Sequence, residues 1–197
     1  MIRFDAEAFR RLNNLAGKYP AIDAVGIFCA RYLIIVMFVA VLVRIFIAMR
    51  RPDSRDIAAM LEAADVRAVI AGVLAFVGNW MFSLFAFRPR PFVALLDVHR
   101  LIPAPFSSHA FPSSHSSVAF ALAFSMLFVN IPFGLTLLVC AAAVALGRVY
   151  VGVHYPLDVI VGIFVGLFWA VVVRYCGVWL HDVEFFAARL LKNKKLR

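Results

Sequence analysis

The amino-acid sequence predicts an all-α integral membrane protein, a bundle of about five to six transmembrane helices with an interfacial helix at the N-terminus. Hydrophobic residues make up 64% of the 197 residues and charged residues only 16%, and the mean hydropathy is +0.93. A soluble domain has about 45–50% apolar and about 25% charged residues, because its surface must be hydrated. The composition therefore excludes a soluble enzyme, a disordered chain and a fibrous protein, and we expect one domain over residues 1–197.

Five apolar runs predict the membrane-spanning helices. They cover residues 25–49, 68–87, 115–131, 135–151 and 157–175. The third and fourth runs are short for a hydrocarbon layer of about 30 Å. N-terminal to the first run, residues 1–19 carry charged and apolar residues with helical spacing. This pattern is typical of an amphipathic helix lying in the membrane interface. Pro20 is expected to end that helix.

The basic residues indicate an orientation in the membrane rather than a nucleic-acid partner. Lys and Arg total 20 against 11 Asp and Glu, a formal net charge of +9, and these residues flank the apolar runs. Basic residues lie at positions 50, 51 and 55 and at the C-terminus, which five spans would place on the same side of the membrane. They indicate that this side is cytoplasmic. The N-terminus and residues 88–114 and 152–155 then lie on the outer side.

The three cysteines lie in apolar stretches without metal-ligand spacing, so we expect no metal site and no cofactor.

Polar residues gather in three segments that antiparallel spans would bring to the same membrane face. In residues 147–158, Pro156 suits a first helical position, and Asp158 in the first turn can reach back to His154. A carboxylate bound to one imidazole nitrogen leaves the other free as a nucleophile. Arg148 offers a guanidinium whose geometry suits a phosphoryl group. Each residue alone would suit a structural role: an interfacial histidine, a helix cap or a snorkelling arginine.

The other two segments add further polar groups to this face. In residues 111–117, Ser113 or Ser114 can cap a helix whose N-terminal amides favour an anion, and His115 in its first turn could protonate a leaving oxygen. In residues 87–92, Arg90 and Arg88 offer further guanidinium groups. A serine-rich cap or an Arg-Pro pair is also common without any catalytic role.

The combined residues favour phosphoryl transfer without a metal ion. Arginines and amides would stabilise the equatorial oxygens, while His154 attacks phosphorus and His115 protonates the leaving group. The alternative of another class is a membrane binding or transport protein that holds an anion without turnover. A His–Asp pair beside arginine and a second histidine is more than binding alone requires.

The three segments together resemble the signature of the type 2 phosphatidic acid phosphatase (PAP2) superfamily. The resemblance covers residues 83–158 and rests on Arg90-Pro91, then residues 112–115, then Arg148 with a histidine six and an aspartate ten residues later. It implies that His154 is the nucleophile, Asp158 its partner and His115 the acid. It also implies that phosphate is bound by Arg90, Arg148, Ser113 and Ser114.

Three positions depart from the family pattern. Ser83 stands where the family usually has a lysine, seven residues before the arginine of the Arg-Pro pair, and Arg88 could supply that charge to the phosphate. Ser114 stands where the family has glycine, and Gly147 where it usually has serine. At Ser83 one phosphate contact is therefore missing or replaced. The changes at Ser114 and Gly147 remove no reacting group, although Gly147 loses a possible hydroxyl contact.

Within the family, the sequence is similar to the bacitracin-resistance type of undecaprenyl diphosphatase. That resemblance implies a bacterial plasma-membrane enzyme with its active site facing the periplasm. Its lipid substrate would be a polyprenyl diphosphate, and its product the carrier lipid for cell-wall precursors. The same enzyme class acting on phosphatidylglycerol phosphate, phosphatidic acid or a lipid A phosphate is the alternative, because any lipid tail would meet only apolar spans.

Overall fold

A computed structural model describes the main chain of residues 3–49, 64–85, 87–104 and 110–194 and the side chains of residues 4–47, 65–85, 87–104 and 110–176. These residues form helices and no strand, which confirms the predicted all-α class. The helices are α1 (Arg3–Asn13), α2 (Pro20–Arg31), α3 (Leu33–Met49), α4 (Ala64–Ser83), α5 (Pro91–Ala94), α6 (Ser114–Leu127), α7 (Ile131–Tyr150) and α8 (Pro156–Lys194). The basic residues expected to set the cytoplasmic side, at positions 50, 51 and 55 and after 191, lie outside the described side chains.

Helix α6 lies at the centre of the bundle, packed against α4, α7 and α8. Nine of its 14 residues are buried, including Phe120, Leu122 and Met126. The other apolar helices expose large hydrophobic side chains such as Phe76 on α4, Val139 on α7 and Phe164 on α8. This distribution is the one that a bilayer imposes, because lipid surrounds the outer helices and protein surrounds the central one.

The number of candidate spans is smaller than the five to six expected. Among the described residues, three helices are long and apolar enough to cross a membrane: Asp65–Ser83, Ile131–Tyr150 and Pro156–Cys176. A fourth results if the bent pair Pro20–Arg31 and Leu33–Ile47 counts as one span. The third predicted run forms only the 14 residues of α6, about 21 Å at about 1.5 Å per residue. It ends four residues earlier than predicted, because the chain turns after Leu127 and Asn130 already caps the start of α7.

The first predicted span is broken near its middle. Helices α2 and α3 meet at an angle of 49° around Tyr32, one residue after Arg31. The run begins five residues earlier than predicted, because Pro20 occupies the first helical position of α2. The prediction that Pro20 ends the preceding helix is wrong, since that helix already ends at Asn13. The break lets α2 cross α7 while α3 packs beside α4.

The N-terminal helix is docked on the protein through part of its surface. As predicted, its sequence is amphipathic, but the helix ends at Asn13 and is followed by a turn in which Gly17 has φ +81°. Phe9 is fully buried with its ring against Tyr155, at 5.6 Å between centroids. Asp5 and Asn13 are buried as well. Helix α1 therefore buries polar side chains that an interfacial helix would leave in contact with water.

The crossing of α2 and α7 explains the glycine at position 147. A Cβ atom added to Gly147 would lie 2.9 Å from the main-chain nitrogen of Ala30 and 3.1 Å from Cβ of Cys29. The close approach lets Nη1 of Arg148 donate a hydrogen bond of 3.1 Å to the Ala30 carbonyl oxygen. The serine usual in the family at position 147 would not fit this crossing.

We predict that Gly147→Ala destabilises the protein by about 1–3 kcal/mol, because backbone must move to admit the methyl group. Gly72→Ala is the matched control, since its Cβ would be 3.5 Å from the nearest atom, an ordinary contact with Val118. Thermal unfolding in detergent, followed by tryptophan fluorescence, measures both. Equal melting temperatures for the two variants would show that the crossing is not tight.

Candidate active site

His154 lies at the centre of the polar groups and has a defined tautomer. Its ring is almost completely buried, and Nδ1 lies 2.7 Å from the main-chain carbonyl oxygen of Ala110. A carbonyl oxygen only accepts hydrogen bonds, so Nδ1 carries the proton and donates it. Nε2 is therefore the nitrogen with the free lone pair, the form that nucleophilic attack requires.

Two buried arginines converge on that lone pair. Nη1 of Arg90 lies 3.5 Å from Nε2 of His154, and Nη2 of Arg148 lies 3.4 Å from it. Main-chain carbonyls fix both guanidinium groups: Arg90 donates to Val153 at 3.0 Å and Arg148 to Ala30 at 3.1 Å. The predicted convergence of residues 87–92 with residues 147–158 is thus present in the structure.

The buried cation Arg148 has no anionic side chain beside it in the described part of the chain. It is 7% exposed, and no carboxylate lies within ion-pair distance of it among the described residues. Its Nε atom has no hydrogen-bond acceptor in the same part of the chain. A buried charge is expensive unless it is paired, which indicates that an anionic ligand completes this site.

The surroundings keep His154 neutral. Burial, and after it the positive charges of Arg148 and Arg90, holds the pKa of His154 well below its usual value, and His115 acts in the same direction. Burial also lowers the pKa of Arg90. A phosphate bound between the arginines would offset their charge and ease proton uptake by the nearby imidazole rings.

Asp158 is close to His154 but is not its hydrogen-bond partner. Its Oδ2 lies 3.6 Å from Nδ1 of His154 and accepts a 2.8 Å hydrogen bond from the Tyr155 amide, as a carboxylate in the first turn of α8 does. Its Oδ1 pairs with Arg88. The sequence predicted a direct bond from Asp158 to the ring, whereas the structure gives that position to the Ala110 carbonyl and places the carboxylate at ion-pair distance.

Arg88 binds carboxylates and does not join Arg90 and Arg148 beside Nε2 of His154. Its guanidinium pairs with Asp158 through Nη1 and with Asp5 through Nη2, and it stacks on the Tyr155 ring with Cζ 4.2 Å from the centroid. Both sides of the guanidinium are thus bound to carboxylates, and the expected contact of Arg88 with the substrate phosphate, in place of a lysine at Ser83, stays a prediction. Ser83 donates to the Trp80 carbonyl in its own helix.

The serine segment caps α6 as predicted. The Ser113 hydroxyl accepts from the Ser116 amide at 3.5 Å, and the Ser113 amide donates to the Asp158 carbonyl at 3.1 Å, which joins the two helix N-termini. Behind the cap, Asn79 donates to the Ser117 hydroxyl at 2.7 Å. The amides of Ser114 and His115 precede the bonded Ser116 amide in the first turn of α6 and can serve an anion.

His115 connects the polar site with an apolar cavity of about 350 Å³. Helices α3, α4 and α6 form this cavity, and Ser114 and His115 are the polar residues that line it. The apolar lining includes Phe38, Val73 and Phe76, whose side chains are exposed on the outer surface of the bundle. The cavity therefore leads from the lipid-facing surface to the first turn of α6.

Two contributors to the site could not be found by sequence motif. The Ala110 carbonyl belongs to the main chain, so no residue type marks it. Asp5 lies more than 80 residues before the nearest motif residue, on a helix whose pattern indicated only amphipathicity. Asp5 is distinguished by the burial of its carboxylate, and no feature of the sequence indicates that burial.

Among the described residues, no group of three or more His, Cys, Asp or Glu side chains could hold a metal ion. The site instead collects guanidinium groups, helix amides, two histidines and a carboxylate. The model of the PAP2 superfamily matches residues 63–182, more than half of the chain. The chain belongs to the PAP2 superfamily. It is a hydrolase, a membrane lipid phosphatase of that family.

Similar proteins agree with this assignment. The undecaprenyl-diphosphatase BcrC of Bacillus subtilis is 30% identical over 161 residues, 82% of this chain and 78% of that protein. The lipid A 1-phosphatase of Rhizobium johnstonii is 41% identical over 85 residues, 38% of this chain and 34% of that protein. The crystal structure of Aquifex aeolicus LpxE superposes with a TM-score of 0.67 at 24% identity, covering 88% of this chain and 96% of that one. At this identity the structural likeness shows the fold.

We predict that His154 stays neutral, with the proton on Nδ1, under mildly acidic conditions in which an ordinary histidine of pKa about 6.5 is mostly protonated. Arg148→Gln should raise the pKa of His154, because it removes a neighbouring positive charge. Arg100→Gln, at an exposed arginine stacked on Phe92, should leave it unchanged. Imidazole ¹⁵N chemical shifts during a pH titration report each state, and a proton on Nε2 at neutral pH would contradict the tautomer.

Proposed function

We propose that this protein hydrolyses undecaprenyl diphosphate to undecaprenyl phosphate and inorganic phosphate through a phosphohistidine on His154. The observation that carries the proposal is the free Nε2 lone pair flanked by two arginines, one of them buried without a carboxylate partner in the described part of the chain. That arrangement binds a tetrahedral dianion and presents a nucleophile to its phosphorus atom.

In the first step, Nε2 of His154 attacks the terminal phosphorus. The bond to the bridging oxygen breaks, and its electron pair leaves with undecaprenyl phosphate, which takes a proton from His115. Arg90 and Arg148 bind the equatorial oxygens, helped by the Ser114 amide and by the hydroxyls of Ser113 and Ser114. Negative charge on those oxygens persists through the transition state, so these groups lower its free energy.

In the second step, water attacks the phosphohistidine. His115, now neutral, accepts a proton from that water, the P–N bond breaks, and the electron pair returns to Nε2. The ring carries positive charge while phosphorylated, and Asp158 at 3.6 Å from Nδ1 stabilises it. The Ala110 carbonyl keeps the ring in place throughout.

The apolar cavity supports a lipid substrate. Its volume of about 350 Å³ accommodates part of a prenyl chain, and the rest would lie in the bilayer beyond Phe38, Val73 and Phe76. A head group attached to such a chain reaches the site beside His115, at the polar end of the cavity. This route requires no passage of the lipid through water.

The choice of a prenyl diphosphate rests on the relatives and on charge. The similarity to an undecaprenyl-diphosphatase extends over 82% of the chain, against 38% for a lipid A 1-phosphatase. A diphosphate carries more negative charge than a monoester and benefits from additional cations. His99 and Arg100 are exposed in the loop after α5 and can meet the second phosphate. A further candidate of this loop, His109, lies outside the described residues.

The proposal also includes the orientation of the protein in the membrane, which rests on the distribution of its basic residues. We place the protein in the bacterial plasma membrane with the His154 end of the bundle facing the periplasm. Basic residues at the opposite end would then lie in the cytoplasm, in agreement with the distribution usual for membrane proteins. Arg88, Arg90 and Arg148 at the catalytic end serve carboxylates or the phosphate, so these three do not oppose this orientation.

We predict phosphate release from undecaprenyl diphosphate by the purified protein in detergent with EDTA present. His154→Ala should abolish turnover, and Asp158→Asn should lower it by at least about 100-fold, because the phosphorylated ring loses its counter-charge. Phosphatidylglycerol phosphate, phosphatidic acid and lipid A are assayed beside it, at matched detergent ratios.

Three results would contradict the proposal. A higher kcat/KM for a glycerolipid phosphate or lipid A would assign a different substrate. Loss of activity in EDTA with recovery in magnesium would overturn the metal-free chemistry. Tight binding without any phosphate release would indicate the anion-binding or transport protein.

A further inference from the structure

The N-terminal helix contacts the catalytic residues directly. Asp5 is 4% exposed, and its Oδ1 accepts a hydrogen bond of 2.9 Å from the Leu157 amide in the first turn of α8. Its Oδ2 pairs with Arg88. Phe9 packs on Tyr155 from the same helix, and the two side-chain groups of Asn13 bind the main chain at His99 and Tyr150. The position of Asp5 is therefore determined by contacts along the whole helix.

Arg88 connects Asp5 to the histidine. One side of its guanidinium binds Asp5 and the other binds Oδ1 of Asp158, whose Oδ2 is held by the Tyr155 amide and lies 3.6 Å from His154. Burial alone would lower the pKa of Arg88, but its hydrogen bond to Asp5 and the charge of Asp158 raise it above the usual value. Arg88 is thus a permanent cation between two carboxylates.

We propose that Asp5 is a positioning residue for the phosphatase reaction: it fixes Arg88 against Asp158 and so sets the carboxylate beside His154. This inference rests on the proposed role of His154. Without the Asp5 charge, Arg88 has a free side and can shift to bind both oxygens of Asp158. This shift moves the negative charge relative to the ring that becomes phosphorylated.

The test compares Asp5→Asn with Glu7→Gln, in the native protein and in an Arg88→Gln background. Asparagine preserves the acceptor for the Leu157 amide and removes only the charge. Glu7 lies on the exposed face of the same helix, so its variant removes an equal charge without touching Arg88. Asp5→Asn should lower kcat about tenfold with KM within about twofold, and its effect in the Arg88→Gln background should fall below about twofold. Glu7→Gln should leave both constants unchanged.

If Asp5→Asn acted only by destabilising the helix, its effect on kcat would be the same with or without Arg88. The Arg88→Gln background therefore distinguishes a positioning role of Asp5 from a role in folding. An equal effect of Asp5→Asn in both backgrounds would overturn the inference. No effect of Asp5→Asn would overturn it as well. A lower KM in Asp5→Asn would show instead that Arg88 is a phosphate ligand that Asp5 restrains.

A second measurement keeps this inference distinct from the choice of substrate. Orthovanadate imitates a pentavalent phosphoryl group and should bind at Nε2 of His154 in the absence of any lipid. Calorimetric titration should give weaker vanadate binding in Asp5→Asn and unchanged binding in Glu7→Gln. If undecaprenyl diphosphate is not hydrolysed but vanadate binding follows this pattern, only the proposed substrate fails. If vanadate binding is the same in Asp5→Asn and the unchanged protein, or is absent from both, the positioning role fails.

Discussion

Two buried guanidinium groups facing one neutral imidazole are the constraint on which the rest of the structure depends. Like charges at Arg90 and Arg148 repel, and burial removes the water that would screen them. Main-chain carbonyls of Val153 and Ala30 offset part of this cost. In the proposed mechanism a phosphate between the arginines offsets the remainder, because it supplies the charge that the described part of the chain does not give to Arg148.

The helices bring these groups together from distant parts of the sequence. The α2–α7 crossing at Gly147 allows Arg148 to bind Ala30, and the Ser113 amide bonded to Asp158 joins the starts of α6 and α8. The segment after α4 supplies Arg88 and Arg90, and α1 fixes the first of these through Asp5. Because each side chain has a main-chain or ionic contact of its own, the site is formed before substrate binds, which limits the entropy lost in reaching the reactive geometry.

The sequence predicted much of this architecture because the informative residues are rare in an apolar chain. Arg90, Arg148, His154 and Asp158 were identified by type and spacing, and α6 by its serine cap. The details that were not predicted depend on the main chain and on packing. The Ala110 carbonyl has no sequence signature, and the pairing of Arg88 depends on a helix far away in the chain. The end of α6 depends on the turn into α7, which lies within a continuous apolar run.

The most direct measurement of the central claim is a rapid alkaline quench of a single turnover with undecaprenyl diphosphate labelled in the terminal phosphate. The mechanism predicts transient label on the peptide that contains His154, formed as fast as undecaprenyl phosphate appears, and none in His154→Gln. Release of labelled phosphate at the same rate as undecaprenyl phosphate, with no labelled peptide at any time during the turnover, would show direct attack by water and would contradict the nucleophilic role of His154.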